Sequence, residues 1–189
     1  SNAKKAILDL EIMGVCYSEE WVEDESHKID MRPSLNEEQQ LAINSVMNEK
    51  GFLASLLYGV TGSGKTEVYL HLIANFLEEE KAQILVLVPE INLTPQLESR
   101  FRARFPDRNL VVLHSNLSSI ERLDNWRQAK SGKASIIIGT RLAVFTPFKN
   151  LKLIIVDEEH DSSFKQQEGL KYHARDVAMV RARNNNIPI

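Results

Sequence analysis

The sequence contains a single cysteine, Cys16, and no hydrophobic run that approaches the length of a membrane span. One cysteine excludes an internal disulfide and a four-cysteine metal site, so we expect no zinc and a reducing, cytoplasmic location. A membrane span needs about 20 consecutive apolar residues, and no signal peptide is visible. Low-complexity tracts and internal repeats are absent as well. We therefore expect a soluble globular protein, and its hydrophobic fraction of 43% is ordinary for one.

Negative charge is concentrated at the N-terminal end of the chain. The net charge is −3, but residues 1–50 carry 5 Lys and Arg against 11 Asp and Glu, which leaves 18 against 15 in the remainder. The remainder is therefore mildly basic. Such a balance permits contacts with a phosphate backbone but does not establish them.

The first 33 residues differ in pattern from the rest. Residues 1–3 resemble the scar of a cleaved affinity tag and are set aside. Residues 4–33 lack long periodicity and contain an acidic cluster from Glu19 to Glu25. We interpret them as the tail of a preceding domain and a linker.

From Asn36 onward, helix-like and strand-like segments alternate. Asn36 is a good N-cap for a first helix, because its side chain can accept hydrogen bonds from the free N–H groups of the first turn. Apolar runs that predict strands occupy residues 52–58, 84–88, 110–113, 135–138 and 151–156. Helical stretches lie at 65–80, 94–105, 118–130 and 142–145, and a further helix begins near Ala174 and ends at Asn184 to Asn186.

The strand-like runs are apolar throughout, which is typical of strands buried on both faces of a parallel sheet. Repeated βα units of this kind predict a doubly wound α/β layer, mostly parallel, with helices on both faces. Ligands bind such a layer at the carboxyl ends of its strands. Residues 187–189 resemble the start of one more strand, so we expect the chain to be a piece of a longer protein.

A complete phosphate-binding motif follows the first predicted strand. Residues 59–66, with the sequence GVTGSGKT, match the pattern G-x-x-x-x-G-K-[ST] at every required position. Glycine lets backbone N–H groups approach phosphate oxygens, and the following helix adds its positive dipole end. We expect this loop to bind ATP through Gly59, Thr61, Gly62, Ser63, Gly64, Lys65 and Thr66. Lys65 would contact the β- and γ-phosphates and the Thr66 hydroxyl would be a Mg²⁺ ligand, whereas the alternative is a glycine-rich turn without a ligand.

An acidic cluster follows the last predicted strand. Asp157, Glu158, Glu159 and His160 stand at its carboxyl end, at the same edge of the sheet as the phosphate-binding loop. Asp157 is the expected second partner of Mg²⁺, and Glu158 is the expected base that orients the attacking water. His160 is a candidate for coupling the γ-phosphate to a neighbouring domain. The alternatives are an exposed acidic loop and a solvated histidine.

One glutamine near the first helix is a candidate for base recognition. Gln39 lies 20 residues before Gly59. A glutamine amide can contact both N6 and N7 of adenine, which would make the site prefer ATP over GTP. An ordinary surface glutamine is the alternative.

Further polar segments at strand ends distinguish this chain from other nucleotide-binding proteins. The segments 88–91 and 93–96 follow the second predicted strand, and Gly139-Thr140-Arg141 follows the fourth. With residues 59–66 and 157–160, they resemble motifs I, Ia, Ib and II of superfamily 2 helicases, in that order. The segments 59–69, 89–91 and 157–176 are similar to a narrower family, the PriA-type replication-restart helicases of bacteria. This resemblance runs from about Leu35 to Ile189.

The resemblance implies an ATP-dependent 3′→5′ DNA helicase that acts at stalled forks and promotes primosome assembly. Residues 34–189 would be the first of two RecA-like motor domains, with motifs Q, I, Ia, Ib and II, and cut before motif III. Residues 4–33 would be the end of a winged-helix region and a linker. The implied partners are forked and single-stranded DNA, the second motor domain of the same chain, single-strand DNA-binding protein and the primosome proteins, with no membrane.

By the same resemblance, seven residues lie where a DNA strand would cross the domain: Thr94, Thr140, Arg141, Phe164, Lys165, Tyr172 and Arg175. Hydroxyls and cations hold the backbone of a strand, and aromatic rings stack on its bases. The loop 161–175, with its aromatic and basic residues, links DNA binding to hydrolysis in that family. Simpler interpretations are a helix cap at Thr94, a turn with a salt bridge at 139–141, and a solvated loop with packed aromatic rings.

Other functions fit part of the pattern. The chain alone is expected to bind without turnover, because catalysis would need an arginine finger from the second motor domain, which is worth about 10³–10⁵ in rate in related systems. A nucleotide- and DNA-binding module of another superfamily 2 translocase is an alternative. A small-molecule P-loop kinase would share residues 59–66 but would not need the segments 139–141 and 157–160.

Overall fold

The computed structural model describes residues 34–60, 62–90 and 93–189. The interpretation of residues 1–33 as a tag scar and a linker therefore lies outside the described residues, as do Cys16 and Thr61. From Leu35 to Ile189 the chain forms one compact unit. None of the helices in the described ranges is long and apolar enough to cross a membrane.

Capping residues explain where several of the helices begin. The described residues form five α-helices: α1 (Glu37–Met47), α2 (Lys65–Phe76), α3 (Pro95–Arg104), α4 (Ser119–Ser131) and α5 (Ala174–Asn185). Asn36, Thr94 and Ser118 precede α1, α3 and α4, and each accepts a hydrogen bond from a backbone N–H of the first turn. These N–H groups would otherwise have no partner in the helix. The predicted N-cap at Asn36 is confirmed.

Four parallel strands form the central sheet: β1 (Gln83–Leu87), β2 (Leu110–Leu113), β3 (Ile136–Gly139) and β4 (Leu151–Val156). Their order across the sheet is β2-β3-β1-β4. In register, Val86 of β1 lies opposite Ile138 of β3 on one side and Ile155 of β4 on the other. The predicted parallel sheet is confirmed, with strand bounds within one residue of those expected.

Both faces of the sheet are buried, as the mainly apolar strands predict. Successive side chains of a strand point to opposite faces, and β1 feeds two separate core clusters. Ile84 and Val86 belong to a cluster with α1, α2 and α3, which contribute residues such as Ile43, Val68 and Phe101. Leu85 and Leu87 belong to a second cluster with α4 and α5, which contribute Ala129, Ala174, Ala178 and Ala182. Helices therefore cover both faces.

Short elements complete the described fold. A 3₁₀ helix, Arg141–Phe145, follows β3, and a second, Ser162–Phe164, follows the acidic segment after β4. Two-residue strands β5 (Lys165–Gln166) and β6 (Tyr172–His173) then pair antiparallel. The loop after β4 thus folds into a small hairpin that leads into α5.

The prediction of a strand over residues 52–58 is wrong. This segment exchanges two hydrogen bonds with Ile189, from Ser55 N to Ile189 O at 2.9 Å and from Ile189 N to Leu53 O at 2.8 Å. Both bonds involve a single residue of the neighbouring segment, whereas a ladder needs consecutive paired residues. The preceding Pro188 faces the opposite side, where its carbonyl oxygen accepts from Ile154 N at 3.2 Å. The segment 52–58 therefore lies alongside the sheet without becoming a regular strand of it.

Candidate nucleotide and nucleic-acid site

The phosphate-binding loop joins the segment 52–58 to α2. Gly62 and Gly64 both adopt a φ of 83°, a left-handed conformation that side chains rarely permit. Gly64 is also the N-cap of α2, and a Cβ atom there would collide with the side-chain nitrogen of Gln39. Both positions therefore need glycine. The loop keeps its backbone free of bulk where α2 presents its first N–H groups.

Lys65 connects this loop to the acidic segment. Its Nζ atom donates a hydrogen bond to the carbonyl oxygen of Gly59 at 2.8 Å and lies 3.9 Å from Glu158 Oε1. Only 18% of the Lys65 side chain is exposed. A partly buried ammonium group beside a backbone cradle is suited to hold phosphate oxygens.

Strand β4 carries the acidic residues to the same edge. The backbone N–H of Asp157 donates to Leu87 O of β1 at 2.9 Å, so Asp157 continues the pairing of the sheet. Glu158 then adopts a φ of 46°, which is uncommon for a residue with a side chain and recurs at functional sites. His160 Nε2 lies 3.7 Å from Glu158 Oε2, and its side chain is largely exposed. The structure therefore brings Lys65, Glu158 and His160 together.

Electrostatics favours a cation beside Asp157. Burial raises the pKa of the Asp157 carboxyl above its usual range, and the negative charge of Glu158 raises it further. The hydroxyl of Tyr69, on α2, and the charge of Lys65 act in the opposite direction. A divalent cation would relieve the repulsion between the two carboxylates and favour their ionised forms.

Gln39 contacts the phosphate-binding loop. Its Oε1 accepts a hydrogen bond from Asn36 N at 3.0 Å, which closes a capping box on α1. Its Nε2 donates to Ser63 O at 3.2 Å. The glutamine is therefore more than a surface residue of α1, while its contact with adenine stays a prediction.

The residues after β1 and β3 make contacts within the protein, and their contacts with DNA stay predictions. Thr94 caps α3, since its Oγ1 accepts from Leu97 N at 3.3 Å. Thr140 is buried, with 4% of its surface exposed. The guanidinium group of Arg141 donates from NH1 to Ser163 O at 3.1 Å and to Lys165 O at 3.3 Å. Arg141 thus holds the loop after β4 through two backbone carbonyl oxygens and not through the salt bridge of the simpler interpretation.

The aromatic and basic loop is packed at several points. The Phe164 ring is fully buried in the second core cluster, so it is not available for base stacking in this conformation, and its contact with DNA stays a prediction. Tyr172 lies edge-on to Phe145, with ring centroids 4.9 Å apart. Lys165 is exposed, whereas Arg175 donates from NH1 to Glu159 Oε2 at 2.7 Å. The loop is therefore anchored by the Phe164 ring, while the exposed Lys165 on β5 is an accessible cation.

Comparison with known proteins gives this arrangement a family. The DEAD/DEAH box helicase family matches residues 36–187, which contain the phosphate-binding loop, the acidic segment and the segments between them. The chain belongs to the DEAD/DEAH box helicases. The likeness to superfamily 2 helicases drawn from the sequence motifs is thereby confirmed.

Among individual proteins, the chain is similar to replication restart proteins. Replication restart protein PriA of Haemophilus influenzae is 54% identical over 158 residues, which cover 84% of this chain and 21% of that protein. The PriA proteins of Synechocystis sp. and Bacillus subtilis are 54% and 45% identical over 158 residues, covering 83% and 82% of this chain and 19% of each relative. The chain spans about a fifth of the length of the curated relatives it matches.

Solved helicase structures share the fold. RecG bound to a three-way DNA junction superposes with a TM-score of 0.56 at 21% identity, over 97% of this chain and 25% of RecG. The DUF1998 helicase MrfA gives a TM-score of 0.50 at 18% identity, over 83% of this chain and 23% of MrfA. At such identities the likeness supports the RecA-like α/β fold and carries no residue roles.

The donors of this helicase domain fit Mg²⁺ held through a nucleotide. Among the described residues, no group of three or more His, Cys, Asp or Glu is placed to hold a metal ion. Mg²⁺ prefers one or two protein oxygens together with phosphate oxygens and waters. Thr66 and Asp157 offer a hydroxyl and a carboxylate oxygen beside the loop, which is the donor set that this arrangement needs.

Sequence reasoning missed three side chains of the helicase domain. Phe145 has half of its surface exposed beside Tyr172, whereas the pattern of residues 142–145 predicted only a short helix. Tyr69 interacts with Asp157, and Glu67 is buried next to Thr66. The motif GKTEVY contains the last two residues, but nothing in its spacing shows which of them face the site.

Proposed function

We propose that residues 34–189 are the ATP-binding first motor domain of a 3′→5′ DNA helicase that acts in replication restart. The observation that carries the proposal is the approach of the Lys65 ammonium group to the Glu158 carboxylate, 3.9 Å apart at one edge of a parallel sheet. The relatives named replication restart proteins support the biological role. The 3′→5′ polarity rests on the resemblance in motifs.

The loop would hold the triphosphate of ATP with backbone N–H groups of residues 59–64. Lys65 would leave the carbonyl oxygen of Gly59 and donate to the β- and γ-phosphates, which requires a movement of its flexible side chain alone. Mg²⁺, when bound, neutralises phosphate charge, and Thr66 and Asp157 would hold it. Gln39, already beside the loop, would contact the adenine base.

Glu158 would orient and deprotonate the attacking water. Its carboxylate lies near Lys65, so it is close to the position of a γ-phosphate held by that ammonium group. His160, 3.7 Å from Glu158, is exposed and would report the state of the γ-phosphate to the second motor domain. Without the arginine finger of that domain, the chain alone would bind ATP with little turnover.

DNA would cross the carboxyl ends of β1 and β3 and the loop after β4. Thr94 lies at the start of α3, and Lys165 is exposed on the loop. Phe145 and Tyr172 form an aromatic pair that can stack on bases. Thr140, Arg141, Phe164 and Arg175 would join the interface only after their present contacts rearrange. Single-strand DNA-binding protein and primosome proteins would be partners in a bacterial cytoplasm.

Steady-state ATP hydrolysis by the natural full-length protein, with and without forked DNA, tests this function. We expect strong stimulation by the fork, no nucleotide binding in Lys65→Ala, and binding without turnover in Glu158→Gln. Comparing the unwinding of duplexes that carry a 3′ or a 5′ single-stranded tail measures the direction in which the protein moves along DNA. Glu168→Gln, which neutralises an exposed carboxylate of the loop, is a matched control and should behave as the unaltered protein.

Two outcomes would contradict the proposal. Normal turnover in Glu158→Gln would remove that carboxylate from catalysis. A rate of ATP hydrolysis that DNA does not change would be consistent with a P-loop ATPase but would exclude a motor driven by DNA binding.

A further inference from the structure

Glu67 is the one ionisable side chain that is buried among the residues that the structure describes, and no step proposed above uses it. Only 6% of its surface is exposed. It lies in the first turn of α2, directly after Lys65 and Thr66. Removal of a carboxylate from water is costly, so a buried carboxylate needs cationic partners.

Two arginines of α3 provide these partners. Arg104 NH2 lies 3.2 Å from Glu67 Oε1, and Arg100 NH2 lies 3.6 Å from Glu67 Oε2. His71, one turn further along α2, places Nε2 3.3 Å from Oε1 and 3.2 Å from Arg104 NH2. Only 14% of the Arg104 side chain is exposed, so its attraction to Glu67 is weakly screened. Oε1 therefore lies nearest to Arg104 and His71, and Oε2 lies nearest to Arg100; these are ion-pair approaches, and Oε1 accepts no hydrogen bond.

This cluster fixes the orientation of α2 relative to α3. Residues 67 and 71 lie one turn apart on α2, and residues 100 and 104 lie one turn apart on α3, so both pairs occupy a single helix face. Apolar packing already restricts how two helices cross, because their side chains interdigitate. Replacing a buried ion pair by apolar residues often leaves stability unchanged or higher. The charges add directional contacts between these two helices.

The two helices start at the two proposed ligand sites. Helix α3 begins after Thr94, where DNA is proposed to bind, and the first turn of α2 carries Lys65 and Thr66. A helix is a rigid element that can transmit a displacement along its length. A displacement of α3 at Thr94 would also displace Arg104 at its other end. Through the contact of Arg104 with Glu67, it would shift Lys65 and Thr66 relative to the phosphates.

We propose that Glu67 is a positioning residue that couples DNA binding at α3 to nucleotide binding at α2. The inference rests on the proposed function, because it requires both ligands. If Glu67 has this role, loss of its carboxylate changes the effect of DNA on nucleotide affinity, in addition to any effect on either affinity alone.

The test is the ratio of nucleotide affinities with and without forked DNA, measured in the natural full-length protein with a fluorescent, non-hydrolysable ATP analogue and Mg²⁺. Coupled sites typically change each other's affinity by about 5–150-fold. We expect a ratio in this range for the unaltered protein and a ratio near one for Glu67→Gln. Glu98→Gln is the matched control on α3, because its exposed pair with Arg102 does not contact α2, and it should keep the original ratio.

A second variant separates coupling from stability. Glu67→Met combined with Arg104→Leu replaces the largely desolvated pair by apolar side chains of similar length, so the protein should fold with a comparable thermal midpoint. A ratio near one in this folded variant would support the proposal. The original ratio in it, or in Glu67→Gln, would overturn the proposal, and unfolding of both variants would assign the cluster to stability alone and overturn it as well.

The outcomes also separate this inference from the proposed function. An unaltered protein that binds both ligands but shows a ratio of one has nothing for Glu67 to transmit, which contradicts the inference alone. An unaltered protein that fails to bind ATP or DNA contradicts the proposed function.

Discussion

Gln83 offers a quantitative test of the fold that carries the candidate site. Its side chain is fully buried and is bonded to four backbone groups. Nε2 donates to the carbonyl oxygens of Ala129 at 2.8 Å and Ala134 at 2.9 Å. Oε1 accepts from the N–H groups of Lys149 at 2.8 Å and Asn150 at 3.2 Å. One amide thus ties the end of α4 and the turn before β4 to the first residue of β1.

Gln83→Leu removes all four hydrogen bonds, so the four backbone groups lose their contact with the side-chain amide. Ala129 O keeps a hydrogen bond from Gly132 N, so three groups lose their partner. A buried polar group without a partner costs about 1–3 kcal/mol, so the three amount to about 3–9 kcal/mol. Burial of the leucine side chain returns about 1.5–3 kcal/mol, and relaxation recovers more. We expect the free energy of unfolding to fall by about 4 kcal/mol, which is exceptional for one substitution. At this domain size the thermal midpoint would fall by about 8–16 °C.

Urea and thermal unfolding, followed by circular dichroism, measure this loss. Gln40→Leu is the matched control, because Gln40 is exposed on α1 and its amide is bonded to Asn44 Oδ1 at 2.9 Å. The control should change the free energy of unfolding by less than about 0.5 kcal/mol. If Gln83→Leu lost no more than the control, the four contacts would not be made together in solution, and the argument for this junction would fail.

Three further predictions concern the site. Asp157→Asn should raise the thermal midpoint of the nucleotide-free protein at neutral pH while abolishing Mg²⁺-dependent hydrolysis, because burial and Glu158 raise the pKa of Asp157 in the folded state. A carboxyl group whose pKa is raised in the folded state stabilises the fold at low pH, and this stabilisation is lost as the pH rises through the folded-state pKa. The difference in thermal midpoint between Asp157→Asn and the unaltered protein should therefore shrink on acidification. Equal midpoints of the two proteins at every pH would contradict this. Gly139→Ala should cost about 1–3 kcal/mol in urea unfolding, since a Cβ atom there would lie 2.8 Å from Leu113 O, and an unchanged urea midpoint would show that the backbones adjust freely. Phe145→Ala should reduce the stimulation of ATP hydrolysis by single-stranded DNA in the full-length protein; undiminished stimulation would exclude the ring from the DNA path.

The sheet was predictable because its signal is local. The runs 110–113 and 151–156 are strands with the predicted bounds, since runs made almost entirely of β-branched and leucine side chains suit a strand buried on both faces. The run 52–58 has a similar composition but lacks a regular partner along its length. Composition reports what a segment can bury, and pairing depends on what lies beside it.

The site was predictable to the level of its motifs. The loop 59–66 and the acids at 157–160 meet as expected, because parallel strands bring their carboxyl ends to one edge. The contacts of Gln39 with Ser63 and of Arg141 with the loop after β4 join residues more than 20 positions apart. Their partners are backbone carbonyls, which every residue carries, so no residue pattern could indicate them.

Three of the proposed ligand-binding cations have protein partners in this structure. Lys65 donates to Gly59 O, Arg141 donates to the carbonyl oxygens of the loop, and Arg175 donates to Glu159. Binding of phosphate to any of them is therefore an exchange of one acceptor for another, and only the difference between the two interactions contributes to affinity. The exchange at Lys65 withdraws an ammonium group from Glu158, and the exchange at Arg175 withdraws a guanidinium group from Glu159. Each ligand would thus leave one carboxylate of the acidic segment with one cationic neighbour fewer.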